Sequence, residues 1–172
     1  MTNGNEVRFR QPDVGDGAAI HQAVIDVGTL DHNSTYLYLL LCRDFAETCI
    51  LAERGGALAG FITGYRPPAQ NDTIFVWQVG VLPAARGAGV ASRMLDGLLL
   101  SDGCRGVRFM DTTVTPSNAA SRAMFQSLAR RLGAKIEESE GFPAEMFGKD
   151  GHESERRLRI GPFDSSKLQG AG

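Results

Sequence analysis

The sequence predicts an α/β protein, on three observations. Short runs rich in β-branched and aromatic residues alternate along the chain with segments whose apolar residues recur at helical spacing. One such run, Ile74-Phe75-Val76-Trp77-Gln78-Val79-Gly80-Val81, passes through Pro83 and a loop of small residues into the start of a helix. Finally, the 172 residues, 42% apolar and 22% charged, suffice to bury one core without disulfide or metal staples, most simply as a single domain.

Each element has its own justification. After residues 1–5, which read as a loose terminus, Val7-Arg8-Phe9-Arg10 alternates as a first strand, broken by Pro12 and Asp13. Ala19, Ile20, Ala23, Val24 and Val27 then follow helical spacing and stop near Gly28. Asp31-His32-Asn33-Ser34 supplies N-cap chemistry for a second helix over residues 35–45. Strand-like runs at 49–53 and 58–65 flank Arg54-Gly55-Gly56 and predict a hairpin. Pro67, Pro68, Asn71 and Asp72 form the loop before the strand at 74–81, and Pro83, which has no N–H to donate, helps to end it.

A helix is expected from about 87 to 101, then a strand over 107–114. Pro116-Ser117-Asn118 opens another helix, in which Ala120, Ala123, Met124, Leu128 and Leu132 run toward Gly133. A strand at 134–139 precedes a glycine- and proline-punctuated stretch, 141–151, that reads as a long loop. Residues 156–160 alternate weakly as a last strand, and the glycine- and serine-rich end from Asp164 is expected to fray, leaving an ordered core of about 6–163. No internal repeat is evident.

Charge and composition exclude several classes. A formal net charge of -2 gives no reason to expect nucleic acid. Arginines outnumber Lys135, Lys149 and Lys167, which suits phosphate and carboxylate recognition but equally reflects coding habit. Cys42, Cys49 and Cys104 fit no metal spacing, so reduced and mostly buried thiols are expected, and no metal. No apolar run approaches the ~20 residues of a membrane span, and MTNGNEVRFRQ has no signal-peptide core, so a cytoplasmic chain without membrane partners is expected.

The loop Arg86-Gly87-Ala88-Gly89-Val90-Ala91-Ser92 carries the first chemical signal. Glycines permit backbone conformations and close approaches that side chains forbid, and a helix N-terminus offers free N–H groups with positive partial charge. Together they make a phosphate cradle with Arg86 as a cation at its rim, or else a tight strand-to-helix turn with no ligand. A P-loop is excluded, because no Gly-Lys-Ser/Thr follows. A dinucleotide fingerprint remains an alternative, since Asp111 lies at about the required ~20-residue offset, although Ser92 replaces the third glycine and Pro83-Ala84-Ala85-Arg86 intervenes.

The strand with Arg86-x-x-Gly89-x-Ala91 resembles the acetyl-coenzyme A motif of the GNAT superfamily, and the element order resembles that fold over nearly the whole chain. The resemblance implies a mixed central sheet flanked by helices, acetyl-coenzyme A as co-substrate, backbone contacts from Val79 and Val81 to pantetheine, and diphosphate held by residues 86–92. It also suggests a homodimer. Asn118-x-x-Ser121-x-x-Met124-Phe125 matches the second GNAT signature, in which the asparagine side chain often reaches the cofactor; Asn118 serves equally as a helix cap.

The family tyrosine that commonly protonates the leaving thiolate is Phe125 here. Tyr36 or Tyr38 can substitute, or both can pack; positions i and i+2 point apart on a helix, so packing is the stronger reading for whichever of the two faces the core. An alkyl thiol with a pKa near ~8.5 is in any case a tolerable leaving group. The implied mechanism is direct attack of a neutral amine on the thioester, with a backbone N–H near Val79 stabilising the oxyanion.

Three blocks, at residues 30–45, 75–79 and 112–118, together with Gly151-His152-Glu153-Ser154-Glu155, look like the L-2,4-diaminobutyrate acetyltransferases of ectoine biosynthesis. Such a substrate needs anions for its α-ammonium, a polar or cationic partner for its carboxylate, and a dry, walled path for the γ-amine. Asp31, Glu153 and Glu155 are the candidate anions; Ser34, Tyr36, Trp77 and His152 are candidates for the wall. Each has a plain structural alternative: Asp31 as a cap, Trp77 as core, and His152-Glu153-x-Glu155 as a solvated turn. Two further readings stay open, a GNAT enzyme for another small amine and a catalytically silent acetyl-coenzyme A-binding module encouraged by Phe125.

Overall fold

The structure, a computed structural model, describes residues 6–149 and 151–170. In chain order the elements are β1 (Val7–Arg10), α1 (Gly17–Val27), α2 (Thr35–Asp44), β2 (Ile50–Arg54), β3 (Ala57–Tyr65), β4 (Thr73–Val81), α3 (Val90–Leu99), β5 (Phe109–Val114), α4 (Ala119–Leu132), β6 (Ile136–Phe142) and β7 (Glu155–Ile160). This is the expected order. The strands form a mixed seven-stranded sheet, β1-β2-β3-β4-β5-β7-β6, in which β4 and β5 run parallel and the other registered pairs run antiparallel. The chain divides into two compact units, and β4 contributes to both.

The first unit comprises the chain up to Tyr65 and Val76–Arg105. Gly28, at φ 74°, ends α1 in the left-handed conformation that suits a residue without Cβ. Gly55 and Gly56, also at positive φ, close the β2–β3 hairpin. Ile20, Val24, Tyr38, Leu41, Leu51 and Phe61 form the centre of a core between α1, α2 and the strands, with Trp77 packed at its margin. A Cβ on Gly60 would meet Met94 of α3, whereas the next residue, Phe61, belongs to the α1–α2 core. Consecutive strand residues face opposite ways, so α1 and α2 cover one face of this unit and α3 the other.

The second unit comprises Arg66–Phe75 and the chain from Gly106 onward. Thr73, Ile74 and Phe75 pair with Phe109, Met110 and Asp111, β5 pairs with β7, and β7 with β6. Asp111 is buried on β5 and accepts bonds from Arg157 at 2.6 Å and Arg159 at 2.9 Å. Arg159 also reaches Thr73 Oγ1 and Gln70 and lies over the Phe109 ring, binding the start of β4 to β5 and β7.

Several boundaries differ from expectation, among them β6, which runs Ile136–Phe142 rather than 134–139 and so takes the first residues of the stretch 141–151 expected as a loop. α3 begins at Val90 rather than near 87, because Gly87 and Gly89 are left-handed. β5 begins at Phe109, since Arg108 N–H is spent on the Asp72 carbonyl in the loop before β4, ahead of the first paired residues. The tail expected to fray from Asp164 forms a 3-10 turn over Ser165–Gly170, because Leu168 has a buried site beside α4; residues 1–5, expected to be loose, lie outside those described.

Candidate active site

The phosphate-type loop lies in the first unit. Gly87 (φ 77°) and Gly89 (φ 68°) take conformations that L side chains rarely adopt, and a Cβ built on either would stand in open space. These glycines therefore serve backbone shape, leaving room above the loop. Arg93 N–H makes the first helical bond of α3, to the Gly89 carbonyl at 3.1 Å, so the N–H groups of Val90, Ala91 and Ser92 precede it and are free of intrahelical partners. Residues 86–89 are exposed and Val90 anchors the turn in the core. Such an N-terminus fits a diphosphate.

Arg86 is fixed by two main-chain acceptors. It donates Nε to the Val81 carbonyl at 3.2 Å and Nη2 to the Val27 carbonyl at 3.1 Å, one of the carbonyls that the end of α1 leaves without a helical donor. A cation at a helix C-terminus is favourably placed against the dipole. Arg86 thus ties the loop to β4 and α1.

The exposed backbone of β4 follows from one hydrogen bond. Leu82 N–H donates to the Ala59 carbonyl of β3 at 2.9 Å, so by the two-residue repeat the N–H groups of Val81 and Val79 point to the strand's other side. Those are the groups expected to meet pantetheine and the oxyanion.

The two tyrosines separate cleanly. Tyr38 is fully buried and its hydroxyl donates to Gln78 Oε1 at 3.1 Å, so it reads as a packing residue; Tyr36, at the start of α2, is 67% exposed. Gln78, 4% exposed, in turn donates Nε2 to the Asp31 carbonyl at 3.3 Å. Asp31 itself is exposed, and the cap position of α2 belongs to Ser34, which makes no side-chain capping bond among the described residues. Trp77 is half-buried. Sequence reasoning gave Gln78 no role; the available signal was a lone amide within an otherwise apolar strand.

The remaining candidates lie in the second unit. Asn118 caps α4, its side chain accepting from Ser121 N–H at 3.0 Å, and Phe125 is buried to 2% exposure. Glu153 receives the Ser117 hydroxyl and, at 3.3 Å, the Ser117 N–H. The His152 ring stacks on Phe147 at 4.1 Å, and its Nε2 stands 3.9 Å from Glu155 Oε1. Glu155 Oε2 is buried and has no hydrogen-bond partner among the described residues. These contacts tie the segment to Ser117 and Phe147, with Glu153 exposed and His152 and Glu155 partly buried. Among the described residues no group of three or more His, Cys, Asp or Glu could hold a metal, and no helix is long and apolar enough to cross a membrane.

The chain belongs to the acetyltransferase (GNAT) family, whose model matches residues 19–129. Within that family it is similar to L-2,4-diaminobutyric acid acetyltransferases: 46% identical to that of Marinococcus halophilus over 94% of this chain and 95% of the relative. It is also 47% identical to that of Bordetella parapertussis, over 90% and 84%. Its fold matches the diaminobutyrate acetyltransferase EctA of Paenibacillus lautus, solved with L-2,4-diaminobutyric acid and coenzyme A, at a TM-score of 0.91 and 43% identity over 93% and 97% of the two chains. Ard1 from Thermoplasma volcanium, 18% identical over 90% and 97%, shares the fold at a TM-score of 0.71. The dinucleotide alternative is corrected accordingly: Asp111 is buried, with both oxygens bonded to Arg159 and one also to Arg157, rather than presented to a ribose.

Proposed function

We propose that this chain transfers the acetyl group of acetyl-coenzyme A to the γ-amine of L-2,4-diaminobutyrate, giving N4-acetyl-L-2,4-diaminobutyrate for ectoine biosynthesis. The observation that carries this reading is the likeness, over nearly the full length of both chains, to the Paenibacillus lautus enzyme solved with that diamino acid and coenzyme A. The chain works as one N-acetyltransferase domain in the cytoplasm, as a homodimer, with neither nucleic acid nor membrane as partner.

The Gly87–Gly89 turn and the first turn of α3 hold the diphosphate, with Ala88, Ala91 and Ser92 contributing backbone N–H groups and Asn118 a polar contact. Val81 pairs with pantetheine and the Val79 N–H stabilises the oxyanion. Asp31 and Glu155 take the α-ammonium; Ser34, Tyr36, Trp77, His152 and Glu153 complete the wall. The neutral γ-amine attacks the thioester carbonyl, an N–C bond forms, the C–S bond breaks, and the amine's proton ends on the thiolate. With Phe125 carrying no proton, Tyr36 or water delivers it.

Thiol release with L-2,4-diaminobutyrate, ornithine, lysine, spermidine and an aminoglycoside tests the reading. A strong preference for diaminobutyrate is expected, with NMR locating the acetylated nitrogen. Preference for another amine overturns the substrate, and coenzyme A binding without turnover on any of them makes the chain a silent binding module.

A further inference from the structure

Gln78 is a costly residue to place in β4. Its amide is 4% exposed in a strand whose neighbours Val76 and Ile74 are fully buried, and a buried amide stabilises only when its groups are bonded. Both are. Oε1 accepts from Tyr38, which α2 holds in the core, and Nε2 reaches outward to the main-chain carbonyl of Asp31, in the segment without regular structure between α1 and α2. The amide is thus oriented at one end by a buried phenol and spends its other end on a single backbone atom of an exposed acidic residue.

We propose that Gln78 is a positioning residue for substrate recognition: by holding the Asp31 carbonyl from β4, it fixes the main chain from which the Asp31 carboxylate meets the α-ammonium. This rests on the diaminobutyrate reading above. Without the tie to β4, the Asp31 carbonyl keeps its bond from Asn33 Nδ2 at 3.2 Å, which lies within the same segment, so the carboxylate is less restrained relative to β4; ordering it costs entropy, which weakens binding of the diamino acid and leaves the loop at Gly87–Gly89 untouched.

The test compares Gln78→Met, which keeps length and apolar packing but removes both polar atoms, Gln78→Glu, which keeps an acceptor for Tyr38 but loses the donor toward Asp31, and Tyr38→Phe, which removes only the buried phenol. Both Gln78 variants are expected to raise KM for diaminobutyrate about tenfold, the upper range for one hydrogen bond, with KM for acetyl-coenzyme A and kcat within about twofold of wild type. Tyr38→Phe is expected to lower Tm while raising that KM less than about threefold. Two variants guard against one failing to fold, and a normal KM for acetyl-coenzyme A reports an intact fold. A wild-type KM for diaminobutyrate in either folded Gln78 variant overturns the proposal, as does a parallel worsening of both KM values, which marks a purely structural role. A wild-type enzyme with no preference for diaminobutyrate instead defeats the reading on which it rests.

Discussion

At the scale of single residues, a buried carboxylate oxygen without a donor is an energetic debt that a cationic ligand can settle, and among the described residues Glu155 Oε2 is such an atom. Glu155→Gln is expected to raise KM for diaminobutyrate about ten- to hundredfold, the worth of a charge-assisted bond, while leaving KM for acetyl-coenzyme A unchanged. Steady-state kinetics with each substrate varied in turn decides it; equal KM values would remove Glu155 from the site. Gly89→Val acts on the other substrate. At φ 68° a β-branched residue is strained, and its side chain would project into the open space above the loop, so affinity for coenzyme A should fall about tenfold or more by calorimetry. The acidic residues and the glycines were legible as residue types at informative positions. Which Glu155 oxygen lacks a partner, and that Arg86 spends its donors on Val81 and Val27, depend on contacts between distant parts of the chain, which no local pattern encodes.

Elements are held by clusters of opposite charge. Asp111→Ala removes the buried acceptor shared by Arg157 and Arg159, which stay partly solvated, and should cost about 1–3 kcal/mol, read from the midpoint of urea unfolding. On the edge strand β6, Glu138 accepts from Arg122 at 2.9 Å and from Arg156 at 3.1 Å, which together hold its carboxyl down to about 2 from an ordinary 4.5. A depressed carboxyl stabilises the folded chain above the ordinary value and loses that contribution as pH falls toward the folded one. The Tm difference between wild type and Glu138→Gln should therefore be constant near neutrality, shrink between about pH 4.5 and 2, and weaken in high salt, because the pair is exposed. A difference that persists at pH 2 would refute the assignment. Helix and strand positions could be read from periodicity and from Gly28, Gly55, Gly56 and Gly133. Their ends shifted where a single contact intervened, as the Asp72 carbonyl does for β5.

For the whole molecule, a homodimer is expected from sedimentation at micromolar concentration, and a monomer active on diaminobutyrate would discard it. The element order was readable because each apolar run keeps one period from end to end. The ordered tail was not, since its composition signals disorder and only the lone Leu168, buried in the second unit, offsets it. Buried cysteines were legible from their number and lack of metal spacing, and they bear on how the protein behaves at the bench. Cys42, Cys49 and Cys104 are all buried, and burial pushes the Cys42 thiol up to about 12 and that of Cys49 to about 11. Disulfide reagents react with thiolates, so near neutrality the native catalyst contributes little colour of its own. Each absorbance step in a chromogenic assay then counts a turnover, and a slow drift in the blank becomes a direct readout of how often the chain opens.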